Sequence, residues 1–324
     1  MREVIDLITV GSLIVEITPT QPGETLDTAR HYTLVAGGAA ANTVFAMARL
    51  EVGVRFITAV GDDEFGTLAT RELVAFGVDT SRVRRVPGQL TPASFCSVDG
   101  LGGKQFRFYR FPGYSSPMEG LREDDFADVE ACRLFDFSEG SIREDALRPL
   151  VFAAARRARQ ARVPVLYAMN FRRGAWGRPD DAIRAIERDA VALADIVVLN
   201  AEEVSFLTER PWKDGLAVMQ AYGPHVVVMT RGGDGSMVVQ VGNTRTEIPP
   251  YRVPVIYDVG AGDTFHAGLV AAALRGEPRR LTLDEWAVAV RFGAATAAIR
   301  VSTSADPRDL PTLGDVEAWM ARTN

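Results

Sequence analysis

Short apolar runs alternate with longer amphipathic segments along most of this sequence, and this alternation most constrains the fold. The runs at 5–10, 54–60, 163–169, 196–199 and 225–229 are rich in Val, Ile and Leu, which is typical of strands buried on both faces. Between them, apolar residues recur at helical spacing in 39–50, 65–76, 144–161, 179–194 and 202–209. This order predicts a three-layer α/β fold, in which helices cover both faces of a mostly parallel sheet.

Two stretches, 12–35 and 83–111, break this rhythm. Their apolar and polar residues alternate, and turn residues interrupt the second stretch at Pro87-Gly88 and Gly102-Gly103. Such alternation predicts strands of a small sheet that has one face in water. We expect the two stretches to meet as a lid over the edge of the main body. Since the sequence has no repeat or low-complexity linker, we expect a single domain over residues 1–324 with this lid inserted.

The charge balance and the cysteine content exclude several classes of protein. The net charge of −6 argues against nucleic acid or an anionic membrane as the main partner. The two cysteines, Cys96 and Cys132, are too few for a disulfide framework or a four-cysteine zinc site. Charges stand where a signal peptide would be apolar, and no apolar run approaches the ~20 residues that span a bilayer. We therefore expect a cytoplasmic protein with reduced cysteines.

The segment Gly260-Ala261-Gly262-Asp263 carries the sharpest chemical signal. A strand-like stretch at 253–256 precedes it and an alanine-rich helix follows, so the glycines stand at a predicted helix start. Unpaired backbone N–H groups and the positive end of the helix dipole favour an anion there, and glycine lets the backbone approach it. Asp263 would lie beside that anion, where it either handles the proton of a hydroxyl or only caps the helix.

Other motifs of phosphate, dinucleotide or metal binding do not match. Phe265 stands where a dinucleotide-binding fingerprint needs its third glycine, and no Gly-x-x-x-x-Gly-Lys-Ser/Thr loop occurs. The three histidines, His31, His225 and His266, are too scattered for a zinc site or an evident catalytic triad. Phosphate handling at the helix start remains as the interpretation.

A second glycine-rich helix start lies at Gly37-Gly38, shortly before Asn42. Asparagine is a poor helix former, yet Asn42 falls one turn inside an otherwise good helix. Its amide offers both a donor and an acceptor, which suits the recognition of hydroxyl groups. Tight packing of the glycines, with Asn42 bonded locally, is the alternative interpretation.

Together, the two glycine-rich segments resemble the two signatures of the ribokinase family, also called the PfkB family of carbohydrate kinases. The first signature covers residues 37–66 and the second residues 255–268. Further similarity lies in Asn200-Ala201-Glu202-Glu203, in the turn at 230–236 and in Asn170-Phe171-Arg172. The resemblance extends over nearly the whole chain. It implies a ribokinase-like fold, with a β-sheet lid, that transfers the γ-phosphate of ATP to a sugar hydroxyl with the help of Mg²⁺.

The resemblance also implies roles for single residues. Asp263 would be the general base that faces the acceptor hydroxyl, and Gly260, Ala261 and Gly262 would form the anion hole for the transferring phosphoryl group. Glu203 would help to hold Mg²⁺, through water, and a simple helix cap is the alternative. The nucleotide would contact Asn200, Thr230, Gly232, Gly233 and Gly235. The sugar would contact Glu16, Gly37, Gly38, Asn42, Arg110, Asn170 and Arg172.

The sequence departs from the family pattern at several places. The usual Asp-Thr-Thr before the anion hole is Tyr257-Asp258-Val259 here, and the family's monovalent-cation loop uses the first and third of those side chains, so we expect little effect of potassium. Glu16 stands where many members have an aspartate that touches the sugar. Ala168-Met169 replaces the Asp-Pro that usually precedes Asn170.

The charges of the expected pocket set the substrate prediction. Arg110 and Arg172 would suit a keto sugar acid such as 2-keto-3-deoxygluconate, because guanidinium pairs best with a planar carboxylate. Glu16 would repel an acid, so we rank a ketohexose such as fructose slightly higher. A nucleoside kinase of the same family and a non-catalytic sugar- or nucleotide-binding relative are the alternatives. The edges of the lid strands are suited to pairing, so we expect a homodimer.

Overall fold

A nine-stranded and a four-stranded sheet form in the part of the chain that the computed structural model describes, residues 5–21, 24–98, 104–108, 115–304, 306 and 308–323. The strands are β1 (Ile5–Val10), β2 (Ile14–Pro19), β3 (Tyr32–Gly37), β4 (Val54–Gly61), β5 (Val83–Val86), β6 (Ala93–Val98), β7 (Lys104–Phe108), β8 (Cys132–Ser138), β9 (Val165–Ala168), β10 (Ile196–Asn200), β11 (Val226–Thr230), β12 (Met237–Val241) and β13 (Thr244–Ile248). The order of the larger sheet is β13-β12-β11-β10-β9-β8-β1-β4-β5.

The larger sheet is parallel from β5 to β11, and β12 and β13 add an antiparallel edge. Within it, β1 lies between β4 and β8, with Leu7 opposite Val54 and Leu134. Such strands are rich in Val, Ile and Leu because both of their faces are covered. The five strands that the sequence predicts are confirmed, close to their predicted bounds.

Helices lie on both faces of this sheet. They are α1 (Ala39–Arg49), α2 (Glu64–Ala75), α3 (Glu139–Ile142), α4 (Arg148–Gln160), α5 (Asp180–Leu193), α6 (Ala201–Thr208), α7 (Trp212–Met219), α8 (Ala261–Ala273), α9 (Leu283–Thr303) and α10 (Leu313–Thr323). Neighbouring residues of β1 show the two layers: Leu7 packs in one core with Val44 of α1 and Leu269 of α8, and Ile8 in another with Val151 of α4 and Ile183 of α5. The predicted three-layer α/β/α architecture is confirmed.

The smaller sheet, in the order β3-β2-β6-β7, is the lid. β2 pairs antiparallel with β3 and parallel with β6, so the two predicted lid stretches do meet. The second stretch was predicted to start at residue 83, and this start is wrong. Val83–Val86 forms β5, which pairs with β4 in the main sheet. Its short polar run, with two arginines, is typical of an edge strand, which is why it was confused with the lid.

Two other local expectations differ from the structure. The stretch 253–256 forms no strand: Val255 and Ile256 are exposed, in a loop that leads to α8. Strand β8 was not predicted, because Arg133 and Asp136 interrupt its apolar run. No helix among the described residues is both long enough and apolar enough to cross a membrane.

Candidate active site

The predicted site residues collect at one edge of the larger sheet, where its parallel strands end. Asn200 ends β10 and Thr230 ends β11, and the two are directly opposite each other in the ladder. Asn170 follows β9, and the chain leaves β1 toward the lid strand that carries Glu16. In open α/β sheets this edge is the usual place for a ligand, because loops from several strands converge there.

Helix α8 begins at this edge, as the sequence predicts. Its N-cap is Gly260, whose φ of +80° is a left-handed conformation that favours glycine. A Cβ atom placed on Gly260 or on Gly262 would meet no atom within 4 Å. The first backbone N–H groups of a helix have no partner within it. The N–H of Ala261 donates to the backbone oxygen of Asp258 at 3.3 Å, and the space beside the two glycines is open. The segment 260–262, called the anion hole below, has the room and the polarity to bind a phosphoryl group.

Asp263 lies in the first turn of α8, and its carboxyl group is held by residues from two other elements. The side chain of Asn42, in α1, is hydrogen-bonded to it, and Nδ2 of Asn170 lies 3.5 Å from its Oδ1. Burial raises the pKa of Asp263 to about 6, against the opposing effects of Arg172, His266 and the Asn42 hydrogen bond. The N-cap of α8 is a glycine without a side-chain cap bond, so Asp263 does not act as the cap.

Glu16 and the Gly37-Gly38 pair form one unit at the junction of the lid and α1. The backbone N–H of Gly38 donates to Oε1 of Glu16 at 3.0 Å. A Cβ atom on Gly37 would stand 2.4 Å from Cδ of Glu16, so only glycine leaves room for this carboxyl group. Gly38 is the N-cap of α1 at a φ of +96°. The two glycines thus serve packing and turn geometry, and they place Glu16 and Asn42 at the same cleft.

Two buried carboxyl groups hold the loop that follows β9. Oε1 of Glu203 accepts the backbone N–H of Phe171 at 2.7 Å, and Glu139 accepts the backbone N–H of Arg172. Burial raises the pKa of both glutamates. Within this loop Asn170 has a φ of +39°. Because two consecutive N–H groups are fixed, the loop directs Asn170 toward Asp263 and leaves Arg172 exposed at the cleft.

Glu203 has a structural role at the start of α6 that the sequence analysis gave as the alternative. Its Oε2 accepts the N–H of Asn200 at 2.7 Å, and its own N–H donates to Oδ1 of Asn200 at 2.9 Å, which together form a capping box. Each carboxylate oxygen has a second lone pair. No group of three or more His, Cys, Asp or Glu side chains that could hold a metal occurs among the described residues. This sparse donor set fits Mg²⁺ only as a hydrated ion that also takes phosphate oxygens.

The turn after β11 carries the predicted nucleotide-side residues. Gly232 and Gly233 are exposed, and a Cβ atom on either would meet no atom within 4 Å. Gly235 is different, since a Cβ atom there would clash with the Arg231 guanidinium, which packs on Trp212 at 4.9 Å. The space beside Gly232 and Gly233 is therefore empty, whereas the space beside Gly235 is filled by the side chain of Arg231. Arg110, predicted to contact the sugar, lies outside the described residues.

A buried chain of side chains behind Asp263 was missed by sequence reasoning. Nε2 of His266 lies 3.0 Å from Oδ1 of Asp136, whose Oδ2 accepts the hydroxyl of Thr9 at 2.8 Å. All three residues are buried. His266 stands three residues after Asp263, so both lie on one side of α8, and its proximity opposes the rise in the pKa of Asp263. The three-residue spacing between Asp263 and His266 was the one feature of the sequence that could have pointed to this chain of side chains.

A carboxylate between two amides, beside an open helix start at the edge of a three-layer α/β/α sheet, is an arrangement that suits a hydroxyl group next to an anion. Residues 4–313 match the family described as pfkB family carbohydrate kinase. The chain belongs to that family and is a carbohydrate kinase. The resemblance seen in the two glycine-rich signatures is thereby confirmed.

Two curated relatives illustrate the range of named activities. The chain is 28% identical to fructokinase-1 of Zea mays, over 96% of both chains. It is 22% identical to the 5-dehydro-2-deoxygluconokinase of Clostridium tetani, over 98% of this chain and 94% of that one. Both are sugar or sugar-acid kinases by name, so the relatives support the general activity and leave the acceptor open.

Solved structures show the same fold. A fructokinase of Xylella fastidiosa with bound ATP superposes with a TM-score of 0.85, at 23% identity and 98% coverage of both chains. A double mutant of a fructokinase from Vibrio cholerae, bound to fructose, ADP and a potassium ion, gives a TM-score of 0.84 at 24% identity, over 98% of this chain and 99% of that one. At these identities the likeness establishes the ribokinase-like fold.

Proposed function

We propose that this protein transfers the γ-phosphate of ATP to a hydroxyl group of a neutral ketohexose such as fructose. The observation that carries the proposal is the position of Asp263, which lies beside the anion hole and is held by Asn42 and Asn170. A kinase needs its acceptor hydroxyl oriented toward the phosphoryl group, and a carboxylate with a pKa of about 6 can accept the proton at neutral pH.

The chain's own residues divide the work of the reaction. Asp263 orients the acceptor hydroxyl and receives its proton as the new P–O bond forms, while the bond between the γ-phosphorus and the bridging oxygen breaks and ADP leaves with that oxygen. The N–H groups of the anion hole stabilise the negative charge on the transferring phosphoryl group. Gly232 and Gly233, which are open in the turn after β11, would contact the remaining phosphates of ATP. Bound Mg²⁺ would neutralise phosphate charge, held through water by Glu203 and Asn200.

The electrostatics of the cleft favour a neutral substrate over a sugar acid. Arg172 is exposed there, but its charge acts on Asp263, Glu139 and Glu203 together. Glu16 adds another carboxyl group near Asp263 and raises its pKa further. A substrate carboxylate would therefore meet the carboxyl groups of Asp263 and Glu16 as well as Arg172, a balance that disfavours it. The named fructokinase relatives agree with this ranking, and the deoxygluconokinase keeps a keto sugar acid second.

A substrate panel tests the proposal. We expect kcat/KM with ATP to be highest for fructose, lower for 2-keto-3-deoxygluconate, and lowest for ribose and adenosine. Arg172→Ala should reduce the value for the sugar acid at least fivefold more than that for fructose, the scale of a charge-assisted hydrogen bond. Adenosine as the best acceptor would support a nucleoside kinase instead. Binding of sugar and ATP without any turnover would support a non-catalytic relative.

We also propose that the lid forms a homodimer through its outer edge. Among the described strands β3 pairs only with β2, and Leu34 on β3 is exposed. At the inner end of β3 the N–H of Ala36 donates to Glu72 of α2 at 3.0 Å, so the part of the strand around Leu34 is the part suited to pairing with a second copy. Light scattering should give the mass of a dimer for the wild type and of a monomer for Leu34→Glu. A monomeric wild type would contradict this proposal.

A further inference from the structure

Arg300, near the end of α9, is a cation in the protein interior. Its side chain is only 1% exposed, and it is among the largest fully buried side chains. Its guanidinium carbon lies 5.0 Å from the centre of the Tyr257 ring, and its Nη1 donates to the backbone oxygen of Ser304 at 2.9 Å. Asp306 and Asp309 favour its charge through space. Since burying a cation is costly, this placement calls for a reason.

The surroundings of Arg300 are connected to the anion hole. The N–H groups of Ile256 and Tyr257 both donate to the backbone oxygen of Val301, at 2.7 and 3.1 Å. The end of α9 is thus joined to the loop that runs directly into Gly260. Tyr257 is also close enough to Glu16 for the two groups to interact electrostatically. Tyr257 therefore contacts the buried guanidinium and also interacts with a carboxyl group of the lid.

A monovalent metal ion does not fit this place. The expected ion would use side-chain oxygens at positions 257 and 259, where this chain has a tyrosine and a valine. Burial raises the pKa of Tyr257 to about 12, so its phenol stays neutral and offers no anionic ligand. The guanidinium on the ring would also repel a second cation at short range. A fructokinase of the same fold binds a potassium ion, and the residues at positions 257 and 259 of this chain do not suit such an ion.

We propose that the guanidinium of Arg300 is the built-in cation of this site, which holds the 256–259 loop so that the anion hole keeps its shape without a monovalent ion. The proposal rests on the proposed kinase function, because its effect is read at the phosphoryl group. Arg300 is a positioning residue: it acts through Tyr257 and the loop, and it does not touch the substrate. Its guanidinium stays charged despite burial, since arginine does not deprotonate in proteins.

Removing the cation should create a dependence that the wild type lacks. We expect kcat of the wild type to be the same within twofold in potassium, sodium or tetramethylammonium salts at constant ionic strength. Arg300→Met should lower kcat at least tenfold, with a change of less than threefold in the KM of the sugar. Millimolar guanidinium should restore at least threefold of that loss, whereas potassium should not, because the tyrosine and valine at positions 257 and 259 are still there. Arg300→Lys should retain more activity than Arg300→Met.

A matched control separates this role from simple packing. Arg188, on α5, makes the same kinds of contact: its guanidinium lies 5.3 Å from the Tyr222 ring centre, and Nη2 donates to the backbone oxygen of Leu207 at 2.8 Å. Arg188→Met should lose some thermal stability, keep kcat within twofold, and show no rescue by added cations. A rescue of both variants to the same extent would overturn the proposal.

Thermal unfolding supplies a readout that does not depend on turnover. Guanidinium at millimolar concentration should raise the unfolding temperature of Arg300→Met by several degrees and leave the wild type unchanged, because only the variant has an empty place for a guanidinium group. A potassium-stimulated wild type, or an Arg300→Met with wild-type kcat and no cation response, would overturn the inference. If no acceptor is phosphorylated at all, the proposed function fails, and the unfolding comparison still tests Arg300.

Discussion

Asp263 has a stronger tendency to bind a proton than a free aspartate, and the reason lies in its neighbours. Burial of the carboxyl group raises its pKa from 3.8 to about 6, although Arg172, His266 and Asn42 favour the ionised form. At pH 7 the carboxyl group is still mostly ionised, so it can accept a proton, and it is more basic than a free aspartate. General-base catalysis needs both properties.

This pKa predicts the acid limb of the pH profile. Because Asp263 must be ionised to accept a proton, kcat/KM for the sugar should rise with pH through a midpoint near 6 and reach a plateau above pH 7, since kcat/KM reports the ionisation of the free enzyme. The measurement is kcat/KM between pH 5 and 8, with circular dichroism at each pH to confirm folding. A flat profile across this range in a folded enzyme would rule out a titrating base.

The same pKa predicts that Asp263 costs stability. The folded-state pKa lies above the unfolded value, so the folded protein binds the proton more tightly, and stability falls as pH rises from about 4 to about 6. Asp263→Asn removes this effect and should be more stable than the wild type at pH 8 by roughly 1 kcal/mol, with no such gain at pH 4. Urea unfolding of both proteins at the two pH values checks this. If the variant and the wild type differ in free energy of unfolding by the same amount at pH 4 and at pH 8, the assignment of the pKa is contradicted.

At the scale of elements, substitutions at the start of α8 should affect stability and kcat in different ways. Gly262 lies in the helix next to open space, whereas Gly260 has a φ of +80°. Gly262→Ala should therefore stabilise the protein by about 0.5 kcal/mol, since alanine is the better helix former. Its methyl group should occupy room for the phosphoryl group and lower kcat at least tenfold.

Gly260→Ala is the matched comparison for this prediction. It should destabilise the protein by about 1–2 kcal/mol, because alanine is strained in the left-handed region. Unfolding curves and kcat measured on both variants check the pair. A Gly262→Ala enzyme with wild-type kcat would show that no anion occupies the space in front of the helix.

Elements with one clear period were predictable from the sequence, and elements with mixed signals were not. Continuous Val and Ile runs identified β10 and β11, because nothing polar interrupts them. Strand β8 was missed since Asp136, which serves His266, breaks its pattern. In the stretch 253–256, Val255 and Ile256 are apolar yet exposed. The N–H of Ile256 donates to the backbone oxygen of Val301 in α9 and not to a neighbouring strand. Function and tertiary contacts override local pattern in both cases.

At the scale of the whole molecule, the sheet order brings together residues that the sequence keeps far apart. The glycine signatures pointed to Asp263 and Asn42 separately, and the strand order places them in contact. The contacts of Glu139 with the loop after β9 and of Asp136 with His266 depend on which strands are neighbours. The strand order cannot be read from residue spacing in a single sequence, so the contacts of Glu139 and Asp136 could be found only from the structure.

The central claim is that Asp263 is the base of a sugar kinase, and one comparison tests it most directly. The measurement is kcat for phosphoryl transfer from ATP to the best acceptor of the substrate panel, for the wild type and for Asp263→Asn, with ATP affinity measured by calorimetry. We predict that kcat falls by about two to four orders of magnitude, while ATP affinity stays within about threefold. An Asp263→Asn enzyme within a few-fold of the wild-type kcat would contradict the account.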